Sequence, residues 1–310
     1  MTPAAFDESC VLIEGDWTHR FVSANGSRFH VVEAGEGPVV LMLHGFPEFW
    51  GAWRHQLNVL AAAGFRAVAI DLRGYGASDK PPRGYDAYSM AADVTGLIRA
   101  LGARDAVIVG AGYGGMLAWT VAALHRDLVR RLVILSAAHP LRLRTAAFGP
   151  GAVRGQRSAA SPIFKFQLPR YEHVLTRDDA ERVGGFIRDW SGPAWRSTED
   201  FAAYERECRS AMQIPQAAFC SLEAFRWGVR SLFRLSGYRF RRDMRAKVTV
   251  DTLQLHGALD PVTLPSTAQG SGLYVSARYE WRLIDNVGHF PHLEAPDLVA
   301  GEILRWAKEI

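Results

Sequence analysis

Six short apolar runs constrain the fold of this chain more than any other feature: GPVVLMLHG (37–45), FRAVAID (65–71), DAVIVG (105–110), RRLVILSA (130–137), TVDTLQLHG (249–257) and RYEWRLID (278–285). Most are apolar at consecutive rather than alternate positions. That pattern marks strands covered on both faces, and helical connections are what cover both faces of a sheet. Helical stretches do lie between the runs: WGAWRHQLNVLAAAG (50–64) stops at Gly64, YSMAADVTGLIRALG (88–102) and GGMLAWTVAALH (114–125) follow, and the chain closes on a helix expected from Pro296 to Ile310. Alternating strand and helix predicts an α/β fold with a mostly parallel, doubly wound sheet. Ahead of it, HRFVSANGSRFHVVEAG (19–35) sets Asn25-Gly26, a pair suited to a type I′ turn, between two alternating runs and predicts an N-terminal antiparallel hairpin.

The alternation breaks after the sixth strand. Residues 139–245 hold connectors such as RTAAFGPGAVRGQRS (144–158) and helical stretches in DDAERVGGFIRDW (178–190), TEDFAAYERECRSAM (198–212) and AAFCSLEAFRWGVRSLF (217–233). A helical insertion at that place is expected to form a lid over the carboxyl edge of the sheet, where open α/β sheets bind ligands. The organisation expected is therefore a core of residues 1–138 and 246–310 with a helical lid, or cap, of residues 139–245.

At 310 residues and 48% apolar, the chain can bury a large core. The start MTPAAFDESC lacks the basic and apolar regions of a secretory signal, and no apolar run approaches the ~18 residues of a membrane helix, so a cytoplasmic protein without membrane insertion is expected. Cys10, Cys208 and Cys220 form no C-x-x-C pair, which points to free thiols rather than a disulfide framework or a metal cage. The net charge of +4 is uneven: residues 139–247 carry 20 Lys and Arg against 11 Asp and Glu. These basic residues are scattered rather than set in a nucleic-acid motif, so no nucleic-acid partner is expected, while an anionic substrate stays open. A homodimer is compatible with the sequence.

One stretch needs arbitration. VIVGAGYGG (107–115) matches the dinucleotide fingerprint G-x-G-x-x-G, and equally the glycine frame of a nucleophile elbow. An FAD or NAD cradle should occupy the first βαβ unit and be followed after ~20 residues by an acid for the ribose. Here the motif lies on the third parallel strand, and the next strand ends in Leu135-Ser136-Ala137. The elbow reading therefore leads and no organic cofactor or metal is expected. Its centre is Gly112.

Four ordered motifs resemble the epoxide hydrolase and haloalkane dehalogenase branch of the α/β-hydrolase superfamily: HGFPEFWGAWRHQL (44–57), DLRGYGASDKP (71–81), LHGALDPVT (255–263) and VGHFPHLEAP (287–296). With the lid, the likeness spans nearly the whole chain. It implies that Asp260 orients and charge-stabilises His289, the general base toward a water. It implies also that Phe46 and Tyr113 offer backbone N–H groups to a developing oxyanion and that Pro47 is cis. His44 and the Asp71–Arg73 segment are read as loop-bracing groups. Trp50, Lys165 and Phe225 are carried over as candidate substrate contacts, the last two at the places where such epoxide hydrolases keep lid tyrosines; Tyr171 and Tyr204 are other lid phenols, with packing the leading reading for each.

The same resemblance exposes a departure. The branch attacks with an aspartate at the elbow centre, and Gly112 has no side chain to attack with. A replaced aspartate, natural or engineered, would leave these letters. Three readings follow. His289, backed by Asp260, activates water or abstracts a proton without a covalent intermediate, acting on a small hydrophobic substrate. Alternatively, the chain is a catalytically inactive relative that binds a small hydrophobic ligand. The third is the FAD- or NAD-binding protein.

Overall fold

The computed structural model describes residues 6–308. Eight strands form one sheet in the order β1-β2-β4-β3-β5-β6-β7-β8: β1 (Thr18–Ala24), β2 (Ser27–Ala34), β3 (Val39–Leu43), β4 (Arg66–Ile70), β5 (Ala106–Ala111), β6 (Val129–Leu135), β7 (Thr252–Gly257) and β8 (Tyr279–Ile284). β1 and β2 make the antiparallel hairpin, and β2 also runs antiparallel to β4; every other pair is parallel. At the hairpin tip Asn25 and Gly26 have φ of 45° and 73°, the two left-handed residues that a type I′ turn requires. Every residue of β3, β5 and β7 is buried, as the unbroken apolar runs predict, whereas β8 lies at the sheet edge and is mostly half-exposed.

Helices cover both faces. α1 (Arg54–Ala62) follows β3, α2 (Ala87–Ala100) follows β4, and α3 (Gly112–Leu124) starts directly from β5. α2 packs on α3, while α1 packs on the terminal helix (Pro296–Lys308). The expected helix from Trp50 opens instead as a 3₁₀ turn, Trp50–Trp53, before α1. The last two residues of the expected terminal helix, like the first five of the chain, lie outside the described residues.

Between β6 and β7 run α4 (Pro140–Phe148), α5 (Gln156–Ala159), α6 (Ser161–Lys165), α7 (Tyr171–Trp190), α8 (Pro193–Arg196), α9 (Glu199–Gln213), α10 (Ala217–Arg230) and α11 (Leu235–Asp243). The stretch 144–158, expected as a connector, thus carries the end of α4 and part of α5. Pro140 at the first turn and His139, whose Nδ1 accepts from the Leu141 amide at 3.3 Å, start α4 despite the glycines downstream. α7 is broken at Arg177–Ala180, where Asp178, Asp179 and Ala180 have positive φ, so the helical stretch expected from Asp178 begins after this break. α9 is capped by the Thr198 hydroxyl, which accepts from the Phe201 amide. α7 packs against α9 and α10, and Arg54 of α1 pairs with Glu207 of α9. α12 (Pro265–Gln269), α13 (Pro291–Glu294) and α14 (Pro296–Lys308) complete the chain. Among the described residues no helix is long and apolar enough to cross a membrane.

Candidate active site

The carboxyl ends of β5, β7 and β8 bring the candidate residues together. β5 ends at Ala111, and Gly112 opens α3 with φ of +51°, left-handed backbone that glycine adopts at little cost. Its neighbours are glycine for another reason. A Cβ on Gly110 would lie 2.4 Å from the Gly114 carbonyl oxygen, one on Gly114 would lie 2.3 Å from that of Leu43, and one on Gly115 would meet Ala137 at 2.6 Å. Close approach of backbone, joined at Gly115 by the Ala137 side chain, accounts for these three. A Cβ on Gly112 would meet His289 Nε2 at 3.1 Å, the side chain's edge rather than a wall of backbone.

His289 stands in the turn after β8. Its amide donates to the Trp190 carbonyl at 2.8 Å, and its Nδ1 lies 2.9 Å from Asp260 Oδ2. Asp260, in the turn after β7, is buried and accepts through Oδ1 from the amides of Val262 at 2.8 Å and Thr263 at 3.1 Å. His256 Nε2 is 3.3 Å from the same Oδ2 and 2.7 Å from the Thr263 carbonyl oxygen. Burial alone would raise the Asp260 pKa, but the facing imidazoles and backbone donors hold it below the ordinary carboxylate value. Burial likewise works to lower the His289 pKa, yet the Asp260 charge and hydrogen bond outweigh it and raise the imidazole above its usual value. This leaves Nε2 as the free nitrogen, facing Gly112.

A cavity of about 70 Å³ opens there, lined by Gly112, His289, Phe46, Phe166, Trp190 and Phe225 among others. A second, almost wholly apolar hollow of about 220 Å³ shares Tyr113, Met116, Leu143, Ala160, Ile163 and Phe225 with it. The space is large enough for water or a small apolar group.

Of the expected contacts, Phe46, Tyr113 and Phe225 line the cavity, and the Phe46-Pro47 bond is cis. Trp50 does not: its indole is buried in the core, donates to the Val11 carbonyl at 2.7 Å and meets Trp17 edge-on, because the 3₁₀ turn points it toward the N-terminal segment. Lys165 is also corrected. It is exposed at the end of α6, and the next residue, Phe166, turns inward beside Phe46 and Phe225. Tyr171 packs on Phe166, and Tyr204 reaches Glu48, so neither phenol lines the cavity. The Tyr113 hydroxyl donates to the Met90 sulfur, and burial pushes its pKa up.

His44 and the Asp71 loop do brace. His44 Nε2 accepts from the Leu72 amide, while Asp71 accepts from the amides of Trp50 and Ala77 and holds His30 at 2.7 Å. Arg73 pairs with Asp93. Two carboxylates went unremarked in the sequence. Glu48, next to the cis proline, accepts from the Gly45 amide at 2.9 Å and faces His292 Nε2 at 2.9 Å. Glu294 accepts from the amides of Gly192, Gly288 and Phe290 at 2.8, 2.7 and 3.0 Å, clamping the His289 turn to the end of α7. The signal for both was an acid embedded in an apolar loop, HGFPEFW and HFPHLEAP.

Comparison with known proteins agrees with this architecture. Residues 38–296 match the family model described as the alpha/beta hydrolase fold. Epoxide hydrolase 3 of Xenopus tropicalis is 39% identical, covering 97% of this chain and 81% of its own length. Epoxide hydrolase A of Mycobacterium tuberculosis is 31% identical, covering 93% and 97%. A solved epoxide hydrolase mutant from Vigna radiata superposes with a TM-score of 0.77 at 26% identity, covering 95% of this chain and 99% of that one. The strand order, the position of the histidine and acid turns and these likenesses together place the chain in the α/β-hydrolase superfamily, among epoxide hydrolase-like members.

Proposed function

We propose that this chain is an epoxide hydrolase-like enzyme that has given up the covalent step, using His289 and Asp260 to drive water directly onto a small hydrophobic substrate. Gly112 occupies the elbow centre, where the resembling enzymes carry the attacking aspartate, and contributes only a hydrogen. The observation that carries the reading is the free His289 Nε2, 3.1 Å from where a Cβ at position 112 would sit, beside a cavity able to hold the water. His289 takes the proton as the water oxygen attacks, and Asp260 stabilises the imidazolium that results. The backbone N–H groups of Phe46 and Tyr113 receive the negative charge on the substrate oxygen. The helices from His139 to Arg245 act as the lid that keeps bulk water out. The proposed contacts on the substrate's apolar part are Phe166, Trp190 and Phe225, not Lys165 or Trp50.

A single-turnover reaction in ¹⁸O-labelled water tests this on a panel of small epoxides and esters. The new product oxygen should come from solvent in the first turnover, and His289→Ala should lower kcat/KM by about 10²–10⁴. A covalently modified protein, or full activity in the variant, would overturn it. A second reading, a binding protein without turnover, is favoured by one feature: the lid presents Phe166 and Phe225 to the cavity where a ring-opening acid would be wanted. A ligand held tightly and released unchanged by protein with intact His289 would select it.

A further inference from the structure

Asp260 has a second imidazole behind it. His256 lies next to the end of β7, fully buried, with its ring stacked on Trp281 of β8 at 5.4 Å between centroids and 27° between planes. The register sets His256 opposite Leu283, and alternate residues of a strand share a face, so Trp281 stands diagonally across from the imidazole. From there His256 Nε2 reaches two oxygens, the Thr263 carbonyl at 2.7 Å and Asp260 Oδ2 at 3.3 Å.

The hydrogens can be counted. A carbonyl oxygen only accepts, so the 2.7 Å contact requires the hydrogen on Nε2. Nδ1 then carries a lone pair, and it has no hydrogen-bond partner among the described residues. Protonating it would bury an N–H without an acceptor, and burial holds this imidazole below its ordinary pKa. His256 is therefore a neutral donor. Its hydrogen is divided between Thr263 and the oxygen that His289 Nδ1 approaches at 2.9 Å. A donor on Oδ2 draws negative charge away from His289, and the bond to Thr263 ties together the two ends of the turn that carries Asp260.

We propose that His256 is a positioning residue for the Asp260–His289 pair, sharing its Nε2 hydrogen between the Thr263 carbonyl and Asp260 Oδ2 and so moderating the charge that Asp260 presents to His289. This deepens the proposed function and rests on its reading of His289 as the base. Without that donor Asp260 holds the imidazolium more tightly, and the base is free only at higher pH. The other charges acting on His289 are Glu48, from the loop after β3, and Glu294 of α13; both raise its pKa, and neither touches His256.

The test is NMR of the purified full chain with ¹⁵N-labelled histidine, the His289 signals being those absent from His289→Ala. In the unaltered chain His256 should keep the neutral Nε2–H form from about pH 5 to about pH 9 while His289 titrates. H256F keeps a ring on Trp281 but has no N–H, and should raise the His289 midpoint by at least about half a pH unit; H256Q returns an N–H and should leave it within about 0.2 of the unaltered chain. H256M, a second side chain without a donor, should match H256F, so loss of folding in one leaves the other to decide. A hydrogen on His256 Nδ1, an unmoved or lowered midpoint in a folded donor-free variant, or a rise in H256Q equal to that in H256F would each overturn the proposal, and the first needs no variant. A purely structural staple would lower the unfolding temperature of H256F and leave the midpoint in place. No substrate enters these measurements, so a failure of the turnover reading is separable from a failure of this one.

Discussion

Gly112→Asp is the perturbation that speaks most directly to the elbow. The backbone there has φ of +51°, a region where a side chain costs about 1–2 kcal/mol, with aspartate among the residues that tolerate it best. The new Cβ would meet His289 Nε2 at 3.1 Å, so the imidazole must retreat by a few tenths of an ångström, while the Gly45 Cα lies at an ordinary contact distance of 3.7 Å. Pairing of the new carboxylate with the imidazole offsets part of the strain. The expected destabilisation is thus about 1–2 kcal/mol, seen as a loss of a few degrees in unfolding temperature. The carboxylate would then stand at the mouth of the cavity, positioned to open an epoxide and form an ester. In the double variant Gly112→Asp/His289→Gln no base remains to hydrolyse that ester, so it accumulates. Intact-protein mass spectrometry should show one added epoxide mass, absent from Gly112→Asn and from the unaltered chain. A folded double variant that takes up no epoxide from a broad panel would refute the assignment of position 112 as the attacking station.

Activity that depends on neutral His289 should rise with pH through a midpoint above the ordinary histidine value of about 6.5, because the Asp260 charge raises the imidazole pKa; Asp260→Asn should lower kcat by about 10³–10⁴ and move that midpoint down, as a pH–rate profile would show. Glu294→Ala should cost about 2–4 kcal/mol in urea unfolding by leaving the Gly192, Gly288 and Phe290 amides without their acceptor, with Glu294→Gln losing less. His139, stacked on Tyr274, has its pKa pushed down to about 3 by burial. Its folded pKa lies below the unfolded one, so stability is intact above pH 6.5 and falls as the pH drops toward 3; His139→Asn, which can still cap α4, should flatten that loss by about 2 kcal/mol at pH 5 in denaturant midpoints.

Much of the core was legible because burial on both faces leaves a strong mark: β3, β5 and β7 read as unbroken apolar runs, and Asn25-Gly26 forced a hairpin of one geometry. The His289–Asp260 contact was legible only through the resemblance of two turns, since nothing in their spacing along the chain brings residues 260 and 289 to 2.9 Å. Elsewhere the signal is weak by nature. In α6 a shift of one residue turns a side chain by about 100°, which exchanges exposed Lys165 for buried Phe166 and defeats any alignment of a short variable helix. Trp50 was carried over as a substrate contact by resemblance alone, but the 3₁₀ turn points its indole at the Val11 carbonyl. The Glu48 and Glu294 carboxylates act on backbone amides, and a backbone amide has no letter in the sequence.

The four glycines at the end of β5 are not equivalent in what they permit. Gly110, Gly114 and Gly115 are spacers whose replacement would drive neighbouring main chains apart, while Gly112 is an open socket bordered by one imidazole edge. The turn can therefore accept a new reactive group at a single address for the strain of one left-handed residue and a small retreat of the His289 imidazole, which makes this chain a host for installing alternative nucleophiles by exchanging one residue.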